Sequence, residues 1–232
     1  MIMKRLLISF ALISFFIVSE KSQAQSIGFS YFFPTHGYFS NPIAPVNFNM
    51  PLKFGRFLQI SPGISMNNIG GMSMTGFPAK FDSERALIGP FQSLSMSLVP
   101  AIVIPTKSVE LELMGGVFGF TGFNQKIMHG NFEDMISEAN NYTSLSSDLN
   151  MDKSAFGWGY LVGTKLNIRI KDNIWGYVAV KYYMGSQNIG INGILQYASG
   201  ENAAVDQEVD YPDAQLYYHG FEITIGGTMR KK

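Results

Sequence analysis

The chain has 232 residues, a formal net charge of zero, only 15% charged residues and no cysteine. Nucleic-acid binding requires clustered lysine and arginine, which this balance does not provide, and a disulfide framework is excluded. After residue 24 the sequence contains no apolar run near the ~18 residues that indicate a spanning helix, although aromatic residues are abundant.

The first predicted element is a cleavable signal peptide over residues 1–24. Lys4-Arg5 form a basic start, the run from Leu6 to Val18 is mostly apolar, and Ser22-Gln23-Ala24 place small residues before a cleavage site. This order is typical of a secretory signal, and the apolar run is shorter than the roughly 20 residues of a spanning anchor. We therefore expect export through a Sec-type signal and one mature domain over residues 25–232.

Eight segments of the mature chain alternate apolar residues with polar or small ones. In lipid, backbone hydrogen bonds are satisfied only by helices and closed barrels, and barrel strands alternate lipid-facing and lumen-facing residues over segments of ~10 residues. In chain order the segments are 26–31, 46–53, 58–67, 92–104, 109–120, 157–170, 174–184 and 220–230. The fourth segment is apolar on both faces at its end, so its register stays open.

The connections between these segments alternate in length. Tight links lie at 54–56, 105–108 and 171–173, and long ones lie near 34–44, 68–91, 121–154 and 186–214. Outer-membrane barrels have short periplasmic turns, longer extracellular loops and an even number of strands. The sequence therefore predicts an all-β fold, a closed antiparallel up-and-down transmembrane β-barrel of about eight strands. Weak alternation over 187–198 leaves two alternatives open: the seventh strand extends as a hairpin above the membrane, or an extra strand pair makes ten strands.

Inward-facing charges are predicted to pair inside this barrel. An eight-stranded barrel is just wide enough for side chains to fill it, and a charge there is tolerated only when it is paired. Strand heights counted from the turns give three sets of neighbours: Glu112 with Lys165, Lys181 with Glu222, and Glu110 with Arg169 or Asn167. We expect the six charged residues among them to form an interior ion-pair network that fixes strand register.

Aromatic residues are predicted to mark both membrane interfaces. The outer belt would contain Tyr31, Trp158, Tyr160, Tyr182 and Tyr217, and Phe54 and Phe57 lie beside a periplasmic turn. The alternation of faces along its strand turns Trp175 inward, which leaves two interpretations. Either this ring closes the periplasmic mouth, or its strand begins out of register.

Residues that would carry chemistry are few. His36, His129 and His219 are far apart in sequence and lack the spacing of a helical zinc site, so we expect no catalytic residue and no cofactor. Asp206, Glu208 and Asp210 would share one face of an extended segment, which makes them weak candidates for a divalent-cation site. Solvated surface acids are the alternative interpretation. In the third long loop, residues 131–141 are predicted to form a short helix around Phe132, Met135 and Ile136.

In architecture, residues 25–232 resemble the small eight-stranded outer-membrane barrels of the OmpX and OmpA-transmembrane-domain type. The region Ser22-Gln23-Ala24-Gln25 resembles the cleavage regions of exported Bacteroidota proteins. Such barrels often end in an aromatic residue, whereas this chain ends Met229-Arg230-Lys231-Lys232. The resemblance implies a monomer in the outer membrane, surrounded by its lipid.

The expected function is non-enzymatic: a barrel with a side-chain-filled lumen, structural or interaction-mediating through four long extracellular loops. Its partner would be outer-membrane lipid and an extracellular or envelope protein, with no nucleic acid involved. One alternative is a transporter or channel for small apolar molecules, which needs a lumen or a lateral opening. The other is a lipid-modifying enzyme at the rim, which needs His219 or His36 beside a serine and an acid.

Overall fold

The computed structural model describes residues 24–40, 46–77, 85–151, 156–199 and 203–230. Apart from Ala24, the signal peptide predicted over residues 1–24 lies outside the described residues. In chain order the strands are β1 (Ala24–Pro34), β2 (Gly37–Ser40), β3 (Val46–Asn49), β4 (Leu52–Phe54), β5 (Leu58–Met72), β6 (Met74–Thr75), β7 (Phe91–Pro105), β8 (Val109–Phe123), β9 (Ser144–Met151), β10 (Phe156–Arg169), β11 (Ile174–Asn188), β12 (Ile191–Ala198), β13 (Val205–Tyr211) and β14 (Gln215–Arg230). The helix α1 (His129–Asn140) lies between β8 and β9.

Eight strand positions form one antiparallel ring. Neighbouring strands follow the order β1, β3, β5, β7, β8, β10, β11, β14, and β14 pairs with β1 from Ala24–Arg230 to Pro34–Gly220, which closes the ring. The second position is shared by β2, β3 and β4, because all three pair with β5. β12 and β13 join β9 in a separate three-stranded sheet. The predicted eight-stranded barrel is therefore confirmed, and the ten-stranded alternative is wrong.

Alternation along each strand separates an apolar outer surface from an inner one that carries both the buried polar residues and buried apolar ones, since successive side chains point to opposite faces. In β14, Phe221 and Ile225 are exposed on the outside, while Glu222 and Thr224 are buried inside. The open register of the segment 92–104 is also settled. In β7, Leu98, Ile102 and Ile104 are exposed, and Val99, Ala101 and Val103 are buried.

The predicted tight turns lie together at one end of the barrel, here called the turn end. They join β4 to β5, β7 to β8, and β10 to β11. At the opposite end, the predicted long loop 34–44 is not observed in the described residues. Thr35 and His36 alone separate β1 from β2, and the N–H of Thr35 donates to the carbonyl oxygen of His219 at 2.9 Å. Backbone pairing of Gly37–Ser40 with β5 explains the difference.

A cap covers the end of the barrel opposite the turns. It consists of α1, the sheet β9–β12–β13 and the segment 85–90, and it shares a hydrophobic cluster with the upper barrel. The predicted helix is confirmed, and Phe132, Met135 and Ile136 form its buried face. Within the described part of the chain, no helix has both the length and the apolar character needed to cross a membrane.

Candidate functional site in the lumen and the cap

At the turn end, Glu110 is held by two cations. Arg230 donates from Nη1 to Oε1 at 2.9 Å and from Nη2 to Oε2 at 2.6 Å, and Lys53 Nζ lies 3.2 Å from Oε1. The Arg230 guanidinium also lies 4.0 Å from the ring centroid of Trp175, which is buried. Trp175 therefore points inward and helps to fill the mouth of the barrel at the turn end.

Arg169 does not join this set, although the sequence placed it beside Glu110. Asn167 is the residue opposite Glu110 in the pairing of β10 with β8, and Arg169 lies beyond the last pair of that ladder. It is exposed, with its guanidinium 6.0 Å from the Trp175 ring centroid. The two cations that do bind Glu110 were missed because they reach it across the lumen, from strands that are not neighbours of β8.

Higher in the lumen, Glu112 and Lys165 face each other in register. Glu112 Oε1 accepts a hydrogen bond from Asn167 Nδ2 at 2.7 Å, and Oε2 accepts one from Gln59 Nε2 at 3.0 Å. Lys165 Nζ lies 3.7 Å from Oε1 and 4.4 Å from the ring centroid of Tyr177. Glu112 and Lys165 are both buried, so their charges are compensated mainly by each other and by these dipoles.

Glu222 is the most completely enclosed of the three lumen carboxylates, with no exposed surface. Its Oε1 accepts from Lys181 Nζ at 2.8 Å, from Thr224 Oγ1 at 3.1 Å and from Tyr183 Oη at 3.2 Å. Lys181 is also its register partner on β11. The structure thus brings five of the six predicted network residues into the lumen, all except Arg169.

Above these ion pairs, six inward-facing rings fill the barrel. We call this group the aromatic plug; its members are Phe32, Phe91, Phe118, Phe120, Tyr183 and Tyr218. Neighbouring rings have centroid separations from 4.6 Å to 6.4 Å, mostly in edge-on or tilted arrangements that aromatic pairs prefer. All six residues are at most 4% exposed. The six rings are therefore packed closely together across the upper lumen.

Glycines on adjacent strands make room for the plug. A Cβ at Gly157 would collide with the ring of Phe120, and one at Gly185 would lie 2.8 Å from Cζ of Phe118. Gly220 has the same relation to Phe32, at 2.9 Å. Glycine in a strand often marks such a close approach. The glycines of the sequence were a visible signal for tight packing, but the partner ring of each could not be read from it.

Directly above the plug, the cap closes the lumen with apolar contacts. The rings of Phe77 and Phe132 meet edge-on with centroids 5.6 Å apart. The Met128 N–H donates to the carbonyl oxygen of Leu87 at 2.8 Å, and Asn131 Nδ2 donates to that of Ala86 at 2.7 Å. The start of α1 is therefore tied to the segment 85–90.

The face of the cap sheet that points away from the barrel is polar. Its exposed residues are Ser146, Asp148, Asn150, Ile194, Gln196, Asp206, Glu208 and Asp210. The last three share one face of β13, as alternation predicts, but no three His, Asp or Glu side chains converge on a common metal position in the described part of the chain. Gln196 Nε2 donates to Asp206 at 2.9 Å, and the carboxylates otherwise face outward.

The histidines make local contacts. His219 points outward on β14 and stacks on Tyr217 with ring centroids 3.6 Å apart. In the cap, His129 Nδ1 lies 3.0 Å from Ser147 Oγ, and that hydroxyl donates to Glu133 Oε1 at 2.8 Å. Because the serine proton is directed at Glu133, the ring of His129 is the donor to Ser147. The arrangement ties α1 to β9, and the histidine does not activate the serine as a base would.

Comparisons with known proteins give structural likenesses only. No protein-family model matches the chain, and no curated protein matches it. The structure is similar to the outer membrane protein OprG from Pseudomonas aeruginosa, with 11% identity, 91% of this chain and 97% of that chain covered, and a TM-score of 0.48. It is similar to Ail, the attachment invasion locus protein of Yersinia pestis, with 13% identity, 90% and 97% coverage, and a TM-score of 0.40.

A third similar structure is the outer membrane protease OmpT from Escherichia coli, with 9% identity, 90% and 94% coverage, and a TM-score of 0.38. At these identities the likeness concerns the fold alone. The predicted resemblance to small eight-stranded outer-membrane barrels is confirmed in architecture by the ring of strands itself.

Proposed function

We propose that the chain is a non-enzymatic outer-membrane barrel with a filled lumen, structural or interaction-mediating through its cap. The carrying observation is the combination of an apolar outer surface with a lumen filled by ion pairs and the aromatic plug. We propose further that it acts as a monomer without a cofactor, and that an extracellular or envelope protein contacts the cap. The resemblance to other outer-membrane barrels does not specify this role, because function lies in the loops grafted on such folds.

The outer surface supports the membrane location. Aliphatic side chains such as Ile27, Ile102 and Ile225 are exposed around the ring, with exposed fractions of 55–58%. An apolar area of this extent on a soluble monomer would promote aggregation, whereas a lipid bilayer would cover it. Trp158 and Tyr160 lie on the outside toward the cap end, and Phe54 lies at the turn end, consistent with two aromatic belts.

The filled lumen argues against transport through the barrel. The aromatic plug occupies the upper half, the ion pairs occupy the lower half, and the cap covers the outer mouth. We therefore expect no steady single-channel steps when the purified protein is inserted in a planar bilayer. Reproducible steps of constant size would contradict the filled lumen and favour the channel alternative.

The orientation can be tested because the chain has no cysteine. Two single variants, Glu208→Cys on the cap and Lys107→Cys at the turn end, place one thiol at each end of the barrel. A membrane-impermeant maleimide should label the first in intact cells and the second only after the outer membrane is permeabilised. Labelling of both in intact cells, or recovery of the protein in the soluble periplasmic fraction, would overturn the proposed location.

The cap is the surface available to a partner. In the proposed orientation its polar outer sheet face points away from the cell, and β13 is an edge strand with three exposed carboxylates.

Catalysis at the rim of the barrel is the weaker alternative. The His219 ring stacks on Tyr217, and its backbone carbonyl accepts a hydrogen bond from the N–H of Thr35. If a lipid-modifying activity of the wild-type protein disappeared in His219→Ala, the non-enzymatic proposal would fail.

A further inference from the structure

A small polar cavity lies in the lower lumen, beneath the aromatic plug. Its volume is about 30 Å³, enough for one water molecule or one small ion. The polar residues on its wall include Lys165, Lys181, Glu112, Ser61 and Thr224, and the rest of the wall is mostly apolar. The cavity therefore brings two lysines, one glutamate and three hydroxyl-bearing residues, Ser61, Tyr177 and Thr224, to one small space.

Lys165 has an unusual position on this wall. Its Nζ is 3.7 Å from the nearest Glu112 oxygen, too far for a hydrogen bond, and both oxygens of Glu112 already accept from amide groups. Among the described residues no acceptor is hydrogen-bonded to this ammonium, which carries three N–H donors. The face of Tyr177 offers it a cation–π contact at 4.4 Å, but no lone pair.

Lys165 also differs from the other cations of the lumen in its hydrogen bonding. From the turn end to the plug, the described lumen residues include four cations, Lys53, Lys165, Lys181 and Arg230, and three carboxylates, Glu110, Glu112 and Glu222. With Lys53 set aside as partly exposed, three cations face three carboxylates, and Lys165 is the one of these cations without a hydrogen-bonded acceptor. Buried charges require both compensation and hydrogen bonds.

We propose that this cavity binds one small monovalent anion of the halide class, held by the ammonium groups of Lys165 and Lys181. An anion would supply the acceptor that the Lys165 ammonium lacks and would bring a second charge to compensate it. A water molecule could also accept from Lys165 and donate to Glu112 or Tyr177 on the same wall, so the experiment below separates the two. The site goes beyond the proposed function of the barrel, since it concerns the lumen and not the cap or the membrane location.

Two variants that change a charge on the cavity wall should change the affinity for the anion in opposite directions. Lys165→Met removes the ammonium that lacks an acceptor and should abolish anion binding. Glu112→Gln keeps the shape and removes a negative charge beside the cavity, so the anion should bind at several-fold lower concentration. Lys171→Met, which removes an exposed lysine at the turn end, is the matched control and should behave as the wild type.

The measurement is the unfolding equilibrium of the micelle-embedded protein as chloride replaces gluconate at constant ionic strength. Gluconate is too large for the cavity. For the wild type, the folding equilibrium constant should rise about tenfold for each tenfold increase in chloride above the dissociation constant. Lys165→Met should show no such dependence, and Glu112→Gln should show it at lower chloride.

A crystal of the wild-type protein grown with bromide covers the case in which Lys165→Met does not fold. Anomalous scattering from one bromide between the two ammonium groups is the expected result. The proposal is overturned if the cavity shows no anomalous signal and the wild type is equally stable in chloride and gluconate, which would mean that the cavity holds water. It is also overturned if Lys165→Met retains the full chloride dependence.

Discussion

Replacing Lys181 by methionine would leave the carboxylate of Glu222 buried without its counter-charge. Glu222 has no exposed surface, and Lys181 Nζ donates to Oε1 at 2.8 Å. Removing one partner of a buried ion pair costs about 3–5 kcal/mol, and a hydrogen bond to a charged group alone accounts for ~1.5–3 kcal/mol. Because Tyr183 and Thr224 still donate to the same oxygen, we expect a loss near the lower bound, about 3 kcal/mol.

Urea-induced unfolding of the protein in detergent micelles measures this loss. The chain has two tryptophans, and Trp175 lies inside the barrel, so its fluorescence should report on the opening of the lumen. Glu138→Gln is the control: its pair with Arg85 is at the surface, and we expect at most about 1 kcal/mol. Combining Lys181→Met with Glu222→Gln should recover most of the loss, since no buried charge then remains unpaired.

The reasoning is refuted if Lys181→Met costs no more than the surface control. It is equally refuted if the double variant is as unstable as the sum of its two single variants. Either result would mean that the two side chains do not interact inside the lumen, and the proposal that the ion pairs fix strand register would lose its basis.

Other changes test the packing and the cap. Gly157→Ala should destabilise the barrel by about 1–3 kcal/mol, because its Cβ overlaps a ring of the aromatic plug. At Gly115 a Cβ would make only ordinary van der Waals contacts, the nearest 3.8 Å away, so Gly115→Ala should change stability by less than about 0.5 kcal/mol in the same urea titration; equal losses would contradict the packing. Phe132→Ala leaves a cavity at a fully buried position in the cap, so the segment around α1 should become sensitive to protease. The barrel should stay folded, which its mobility on a gel measures. Loss of the whole barrel would contradict a separable cap. Arg230→Met should cost roughly 2 kcal/mol, since Glu110 keeps only a partly exposed lysine, and an unchanged urea midpoint would contradict the geometry of the mouth.

Much of the barrel was predictable because a strand has a side-chain period of two. Once the inward face of each segment is known, the tight turns fix the height of every inward residue relative to its neighbour strand. Glu112 opposite Lys165, and Lys181 opposite Glu222, follow directly from this counting and are register partners in the structure. Parity turned Trp175 inward but left open whether its ring closes the mouth or its strand begins out of register; its burial and its contact with Arg230 agree with the first interpretation.

Contacts across the lumen were not predictable in the same way. Parity and height describe only pairs on adjacent strands, whereas Arg230 on β14 and Lys53 on β4 reach Glu110 on β8 from other parts of the ring. Which strands face each other across the lumen depends on the tilt and stagger of the whole barrel. Height alone allowed either Arg169 or Asn167 beside Glu110; Asn167 is the register partner, and Arg169 lies beyond the ladder and does not bind Glu110.

The cap escaped prediction for a related reason. Its sheet joins β9 to β12 and β13, which belong to two different long connections. Alternation within 187–198 indicated an extended segment but could not name its partner. A hairpin above the membrane and an extra pair of barrel strands were both open interpretations, and the pairing of β12 with β13 outside the barrel agrees with the first. The helix α1 was recognisable because its apolar residues recur at helical spacing within one segment.

The lumen is divided by chemistry along its axis, and this division limits what the barrel can do. Lipid constrains only the outward half of each strand, so the inward residues are free to differ between the two ends. Near the turns they are charged and near the cap they are aromatic, with Tyr183 and its hydrogen bond to Glu222 at the boundary. A small ion could therefore reach the lower lumen only from the turn end, because the plug and the cap separate it from the other side.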